Sequence, residues 1–264
     1  MRYLPLVFAI LILACSKADR DNDTGTVQAT DNLLAEFAFI DIHTMIKEAT
    51  EVESGLRSVS NLFPNATIYS DTLSNPKIVM IDFGNNNSLC ADGRNRRGII
   101  YASLSGHYSD SLCQIQITPQ NYYVQDRKIE GAVSMTNNGR ISGGYYTFSW
   151  TVSNGKITDT DGSVIQYNCT RNFKWLAGIG TSQISDDIYT ISGTASGLDR
   201  KGASYTNSIT ASLNYNFSCS TFTSGILKIQ VGNLSDRILD FGSGNCDQIA
   251  TLSFNGNEEE LTTY

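Results

Sequence analysis

The sequence predicts a mostly β protein. We expect one large antiparallel meander, arranged as a curled sheet, a sandwich or an unclosed barrel, with one N-terminal helix. From about Lys77 onward apolar and polar residues alternate, as in residues 146–152 and 209–217, which is typical of strands with one buried and one solvated face. Turn pairs such as Asn138-Gly139 and Asp161-Gly162 separate these runs, and no long helical pattern intervenes. The strands therefore connect through hairpins, and we expect about eight to twelve of them.

One helix is predicted over residues 32–51. Apolar residues recur there at helical spacing, including Leu34, Ile42 and Met45, and Asp31 is a suitable N-terminal cap. A helix lying on a membrane surface is the alternative, but this stretch contains one lysine and no arginine, whereas membrane-surface helices are rich in both. We therefore expect this helix to pack on the sheet.

The N-terminus is typical of an exported lipoprotein. One positive charge, Arg2, precedes the eleven residues 4–14, which are all apolar or proline. A membrane-spanning helix needs about 18 or more apolar residues, so this shorter run fits the core of a secretory signal. The run ends in Ile12-Leu13-Ala14-Cys15, which resembles the lipobox of bacterial lipoproteins. We expect a signal peptide over residues 1–14 and lipidation of Cys15. The alternative is an ordinary secretory signal with a chance cysteine.

The rest of the chain is predicted to be a short tether and one domain. Residues 15–30 are polar and rich in aspartate, which is typical of a flexible segment, and residues 31–264 form the single β-rich domain. The formal net charge is −7, and the mature chain also loses Arg2. An acidic chain is a poor partner for nucleic acid or anionic lipid, so the predicted membrane contact is the lipid on Cys15.

A short motif occurs twice and carries a family resemblance. Asp82-Phe83-Gly84 precedes Cys90, and Asp240-Phe241-Gly242 precedes Cys246, which indicates a shared turn at the two places. The chain resembles a group of Bacteroidetes outer-membrane or surface lipoproteins of unknown function. The similar segments, which run through most of the domain, are residues 82–84, 90–94, 121–124, 128–131 and 240–247. The resemblance implies a cell-envelope location, periplasmic or surface-exposed, and a β-rich fold, but no activity.

Five cysteines remain after Cys15, and an exported chain is free to form disulfides. If Gly232-Asn233 is a two-residue hairpin loop, facing residues sum to 465, which places Cys219 opposite Cys246. Cys90 and Cys113 remain as a second candidate pair, and Cys169 shares a strand face with apolar residues, which predicts a buried free thiol. Structural zinc is the alternative use, but no two cysteines have the close spacing of zinc ligands.

No catalytic residue, metal site or cofactor is predicted. The two histidines, His43 and His107, lack a convincing catalytic partner. The Asp159–Gly162 segment matches the start of a calcium loop, but Thr170 stands where the loop needs a glutamate. A hairpin turn is the simpler interpretation.

A small basic cluster is the one predicted ligand contact. Arg94, Arg96 and Arg97 follow the Asp92-Gly93 turn, and arginine forks match the anionic groups of sugars or lipid phosphates. A solvated hairpin tip is the alternative.

Three functions remain open. The preferred one is a non-catalytic binding or structural module for a glycan or a protein partner. The first alternative is a carrier of lipid or another hydrophobic ligand in a curved-sheet cavity, and the second is a hydrolase with an unrecognised site. An unfilled apolar concavity would favour the carrier.

Overall fold

A computed structural model describes residues 25–53, 63–181 and 183–263 of the chain. It contains one helix, α1 (Val27–Glu53), and fourteen strands. The strands are β1 (Thr67–Asp71), β2 (Lys77–Asp82), β3 (Ser88–Leu89), β4 (Asn95–Leu104), β5 (Gln114–Val124), β6 (Arg127–Arg140), β7 (Tyr146–Thr158), β8 (Val164–Ala177), β9 (Ile188–Leu198), β10 (Ser204–Asn216), β11 (Thr221–Gln230), β12 (Arg237–Ser243), β13 (Ile249–Phe254) and β14 (Asn257–Thr262).

The strands form a single antiparallel sheet that follows the chain from β1 to β14, with only β3 off the path, paired to β4. No described pairing joins β1 to β14, so the sheet is unclosed. The predicted fold class is confirmed. The predicted strand number was too low because short strands carry little alternation, as in β3 and in β14, which contains Glu258, Glu259 and Glu260 in succession.

The sheet curls around α1. Every helix residue from Asp31 to Glu51 is buried, charged residues included. An amphipathic helix on a sheet would leave its polar face in water, so partners must approach this helix from several sides. The concave side of the sheet is therefore filled by α1 in the part of the chain that the structure describes.

The predicted start of the helix was wrong. α1 begins at Val27, so residues 27–30 of the predicted tether are helical, and Asp31 lies inside the helix instead of capping it. The carboxylate of Asp31 accepts hydrogen bonds from the backbone N–H and the Nε of Arg200, each at 2.7 Å. The polar character of this stretch reflects partners in the sheet rather than exposure to solvent. Residues 1–24, including the predicted signal peptide, Cys15 and most of the tether, lie outside the described residues.

Buried ion pairs hold the helix in register with the sheet. Arg171 on β8 donates a hydrogen bond to Glu36 and a second, at 2.8 Å, to the amide oxygen of Asn207 on β10. Asn207 in turn donates to Asn32 at 2.5 Å. Because a buried charge is costly unless it is paired and hydrogen-bonded, these contacts penalise any sliding of α1 along the sheet.

A second buried pair lies near the C-terminal end of α1. Lys47 is fully buried, and its ammonium donates to Asp187 at 2.6 Å and to Glu51 at 2.9 Å. The same nitrogen lies 4.1 Å from the centroid of the Trp175 ring. The loop between β8 and β9, which carries Asp187, is thereby tied to the helix.

His43 is enclosed by aromatic rings from the sheet. Its Nε2 lies 3.0 Å from the hydroxyl of Tyr108, and the Trp150 and Tyr189 rings meet it edge-on at centroid distances of 5.5 Å. Burial, and secondarily the positive charge of Lys47, lower the pKa of His43 to about 3. This histidine is therefore neutral near pH 7.

Candidate binding groove

A shallow groove of about 560 Å³ crosses the outer face of the sheet from β7 to β11. Its outward-facing side chains, all exposed or partly exposed, form two rows that run across the strands. The rows, by strand pairing, are Thr151, Thr170, Thr194 and Ser208, and Asn168, Ser196, Thr206 and Gln230. Adjacent strands lie about 4.8 Å apart, so each row presents four polar groups over roughly 15 Å.

The groove arises from the same alternation that forms the strands. Side chains alternate along β8: Cys169 and Arg171 point inward, and Asn168 and Thr170 therefore point outward. A register shift between Val152 and Gly155 interrupts the β7–β8 pairing beside the groove. Such irregularities increase the local twist of a sheet.

One side chain in the groove is oriented by the backbone. The amide oxygen of Asn168 accepts a hydrogen bond from the backbone N–H of Asn154 at 2.8 Å, and Asn154 has a positive φ of 53°. This hydrogen bond fixes the orientation of the amide, and both donors of its NH₂ group are available to a ligand.

The groove contains no ionic side chain. Its lining residues are Thr151, Val152, Ser153, Asn168, Cys169, Thr170, Thr194, Ala195, Ser196, Thr206, Asn207, Ser208 and Gln230. Hydroxyl and amide groups donate and accept hydrogen bonds, and none of these lining groups would neutralise an ion. Lys228, which follows Ser208 in the first row on β11, borders the groove, and its charge is paired with Asp236 at 2.9 Å. The surface is therefore suited to a neutral ligand rich in hydroxyl groups.

A second concavity, of about 570 Å³, opens where turns from opposite ends of the sheet approach α1. Asp92 and Arg94, before β4, line one wall, and Ser218 and Gln248, from turns of the late strands, line another. Its floor includes Asp41 of α1, whose burial alone would raise the pKa. The charges of Arg96 and Arg94 outweigh that effect and lower the pKa of Asp41, so this carboxylate does not supply a proton near pH 7.

The predicted arginine cluster does not form an anion site. Arg96 is buried and donates to Asp41 at 2.5 Å and to Asp92 at 2.6 Å, while Arg94 donates to Asp41 at 3.2 Å. Carboxylates already neutralise both guanidinium groups, and Arg96 is fully buried, which disfavours the predicted ligand contact at these two residues.

Arg97 points away from the other two arginines because it follows Arg96 on strand β4. Its guanidinium is ion-paired to Asp126, donates to Asn87 at 2.7 Å and lies 3.8 Å from the centroid of the Tyr123 ring. The third predicted contact is therefore also occupied within the chain.

Cys219 and Cys246 form a disulfide, with Cα atoms 5.8 Å apart. The register used to predict this pair was wrong by one residue: Leu227 faces Leu239 on β11 and β12, so facing positions sum to 466 rather than 465. The bond forms because both cysteines lie in turns beyond the ladder, at the same end of these strands, where the ladder register does not decide which residues meet.

The other predicted pair does not form. Cys90 and Cys113 are both buried free thiols. Cys90 lies before β4 and Cys113 after it, and a ten-residue strand is about 30 Å long, so proximity in sequence did not bring them together. Cys169 is a buried free thiol, and burial raises its pKa to about 12.

The aspartates of the partial calcium motif are engaged by groups of the chain itself. Asp159 accepts a hydrogen bond from Arg127 at 3.1 Å, and Asp161 accepts one from the backbone N–H of Ser163 at 2.8 Å. Among the described residues, no group of three or more His, Cys, Asp or Glu side chains is placed to hold a metal ion.

The repeated motif is a shared turn. The carboxylate of Asp82 accepts from the backbone N–H of Gly84 at 2.8 Å, and that of Asp240 accepts from Gly242 at 2.9 Å. Both glycines have φ near +78°, a conformation that favours glycine. These carboxylates are thus used within their own turns.

No protein-family model, curated protein or solved structure matches this chain. Within the described ranges, no helix combines the length and the apolarity that a membrane crossing requires. The groove itself was missed at the sequence level, although its signal is present: the outward positions of β7 to β10 are almost all Ser, Thr, Asn or Gln.

Proposed function

We propose that this chain is a lipid-anchored lipoprotein of the outer membrane and a non-catalytic binding module that holds a neutral glycan in the groove across β7 to β11. The observation that carries the proposal is the pair of uncharged polar rows on the outer face. In a chain in which 17% of residues are charged, a 560 Å³ surface without one ionic group favours a ligand that is itself polar and uncharged.

The chemistry of the rows favours a saccharide over other neutral ligands. Sugar hydroxyls both donate and accept, and they can exchange with the hydroxyls of Thr170, Thr194 and Ser196, all of which are exposed. Short side chains lose little rotamer entropy when a ligand orders them. A hydrophobic ligand would leave these groups unpaired, which costs about 1–3 kcal/mol for each group that becomes buried.

The lining of the groove favours binding of a glycan without its hydrolysis. General acid–base catalysis needs a titratable group near the reacting bond. The titratable side chain in the lining is the thiol of Cys169, whose pKa is raised to about 12 by burial. The carrier alternative needs an apolar cavity on the concave side, where α1 lies. The concavity that remains beside α1 is lined by the charged side chains of Asp41, Asp92 and Arg94, which disfavour a hydrophobic ligand.

The groove is tested by charge insertion. We expect the mature chain to be retained on one or more insoluble neutral polysaccharides, for example a β-glucan, an α-glucan or a mannan. Thr170→Asp and Thr194→Asp should each weaken retention about tenfold or more, because a buried charge without a partner opposes binding. Depletion binding and calorimetry with soluble oligosaccharides measure the change.

Thr118→Asp is the matched control, since Thr118 is an exposed threonine on the outer face of β5, outside the groove. The proposal fails if no neutral polysaccharide retains the protein, or if Thr170→Asp binds as well as Thr118→Asp. Release of soluble sugar from any retained polysaccharide would overturn the non-catalytic part alone.

The anchor is tested separately at Cys15. Cys15→Ser should abolish incorporation of labelled fatty acid and leave an unprocessed or released protein, because the thiol is the acyl acceptor in the motif Leu13-Ala14-Cys15. Metabolic labelling followed by membrane fractionation measures both effects. Equal label in the wild type and the variant would refute lipidation at this position without bearing on the groove.

A further inference from the structure

Three hairpin tips at one end of the sheet expose aliphatic side chains. Leu73 lies between β1 and β2, Leu112 between β4 and β5, and Ile141 between β6 and β7. Their side chains are 97%, 72% and 44% exposed. In an antiparallel meander these three connections lie at the same end, and successive hairpins are separated by about 10 Å.

The loop that carries Leu112 is held in an unfavourable conformation. Its backbone N–H donates to the carbonyl of Asn137 on β6 at 2.7 Å, which ties the loop to the neighbouring hairpin. Leu112 has a φ of 66°, in the left-handed region that favours glycine. The conformation directs a large apolar side chain into solvent, and no packing within the described chain compensates for it.

A pocket of about 320 Å³ with a mixed polar and apolar lining lies between the first two tips. Its lining includes Ser70, Thr72, Lys77 and His107. The Lys77 ammonium donates one hydrogen bond, to the Thr72 carbonyl at 2.7 Å, and has three protons to donate. The hydroxyl of Ser70 is buried and has no hydrogen-bond partner among the described residues.

We propose that this end of the sheet docks on a zwitterionic phospholipid surface. Leu73, Leu112 and Ile141 enter the boundary between headgroups and acyl chains, as apolar side chains do in interfacial binding, and the pocket beside Lys77 receives a headgroup phosphate.

The arrangement of the tips favours a lipid surface over a protein partner. Separate aliphatic tips, two of them beside a pocket that contains Lys77, differ from the contiguous apolar core of a protein interface. Because the net charge of −7 disfavours binding to an anionic bilayer, the proposal names a zwitterionic bilayer.

This contact is distinct from the anchor and from the groove. The 27 residues of α1 span about 40 Å. The C-terminal end of this helix lies at the end of the sheet that carries the three hairpin tips, since Thr50 lines the pocket there. The proposed lipid on Cys15 precedes the opposite end of the helix. The chain used in the test therefore carries Cys15→Ser, so that binding does not depend on lipidation.

The test is co-flotation of residues 15–264, carrying Cys15→Ser, with phosphatidylcholine vesicles. We expect the protein to float with the vesicles and to remain bound in 0.5 M NaCl, since apolar insertion is insensitive to salt. Leu73→Ser and Leu112→Ser should each lower the partition constant for vesicle binding about tenfold, because each removes one leucine from an apolar environment.

Leu89→Ser is the matched control, because Leu89 is 57% exposed but lies on β3, away from the three hairpins. It should float like the wild type, as should Thr170→Asp in the groove, and thermal unfolding should be alike in all variants. The proposal is overturned if the unaltered domain stays out of the vesicle fraction, or if removing both leucines leaves flotation unchanged.

Discussion

Replacing Glu36 by leucine is expected to lower the free energy of unfolding by about 3–5 kcal/mol, the effect of breaking one partner out of a buried ion pair. Arg171 is 2% exposed, and Glu36 is its charged partner. The Nε and Nη1 atoms of Arg171 have no hydrogen-bond partner among the described residues. The variant therefore leaves a buried guanidinium whose remaining side-chain hydrogen bond is the one to Asn207. Urea unfolding followed by tryptophan fluorescence measures the loss.

A double variant separates the pair from the space it fills. Glu36→Leu combined with Arg171→Met should recover most of the lost stability, because replacing a whole buried pair by apolar residues is often close to neutral. Asp236→Ala, which breaks the exposed pair with Lys228, is the control and should change stability by less than about 1 kcal/mol. If Glu36→Leu costs no more than Asp236→Ala, the buried pair does not hold the helix.

Acid is expected to destabilise the domain through His43 well before the carboxylates titrate. The pKa of His43 is about 3 in the folded chain because of burial and Lys47, against about 6.5 when unfolded. Below pH 6.5 the unfolded state binds the extra proton, so stability falls as the pH falls. Between pH 7.5 and pH 5 the loss is about 2 kcal/mol.

The pH dependence is checked by repeating urea unfolding across that range. The titratable groups that face His43 are Lys47 on its own helix, the hydroxyl of Tyr108 from the β4–β5 connection and the ring of Tyr189 on β9. None of them changes charge between pH 5 and 7.5 in the unfolded chain. His43→Leu should abolish the slope, whereas His107→Asn, on an exposed loop, should retain it. A slope that survives in His43→Leu would assign the effect to other groups.

The strands and their order were accessible from the sequence because they depend on local patterns. A side chain on a strand faces either the core or water, and this choice appears directly as alternation in residues 146–152 and 209–217. Turn pairs such as Asp161-Gly162 mark where the direction reverses. Together these signals determined a meander with one helix, and the structure has that fold.

The position of the helix was decided only in three dimensions. Asp31, Glu36 and Lys47 are all buried, and each is paired with residues at least 135 positions away: Asp31 with Arg200, Glu36 with Arg171 and Asn207, and Lys47 with Asp187. Sequence periodicity reports which residues share a face, but it does not report what covers that face.

The sites likewise depended on the tertiary structure. The outward side chains of β7 to β10 are visible in the sequence, but their assembly into two rows requires the register of four strand pairs, which bulges such as the one between Val152 and Gly155 shift. The basic cluster at Arg94 and Arg96 was visible too, but its neutralisation required Asp41 from the helix. By itself the sequence determined the strands that alternate, the turns between them and the presence of one helix, because those choices are local. The tertiary structure decided which charges are paired and which polar groups form a surface, because those contacts join residues far apart in the chain.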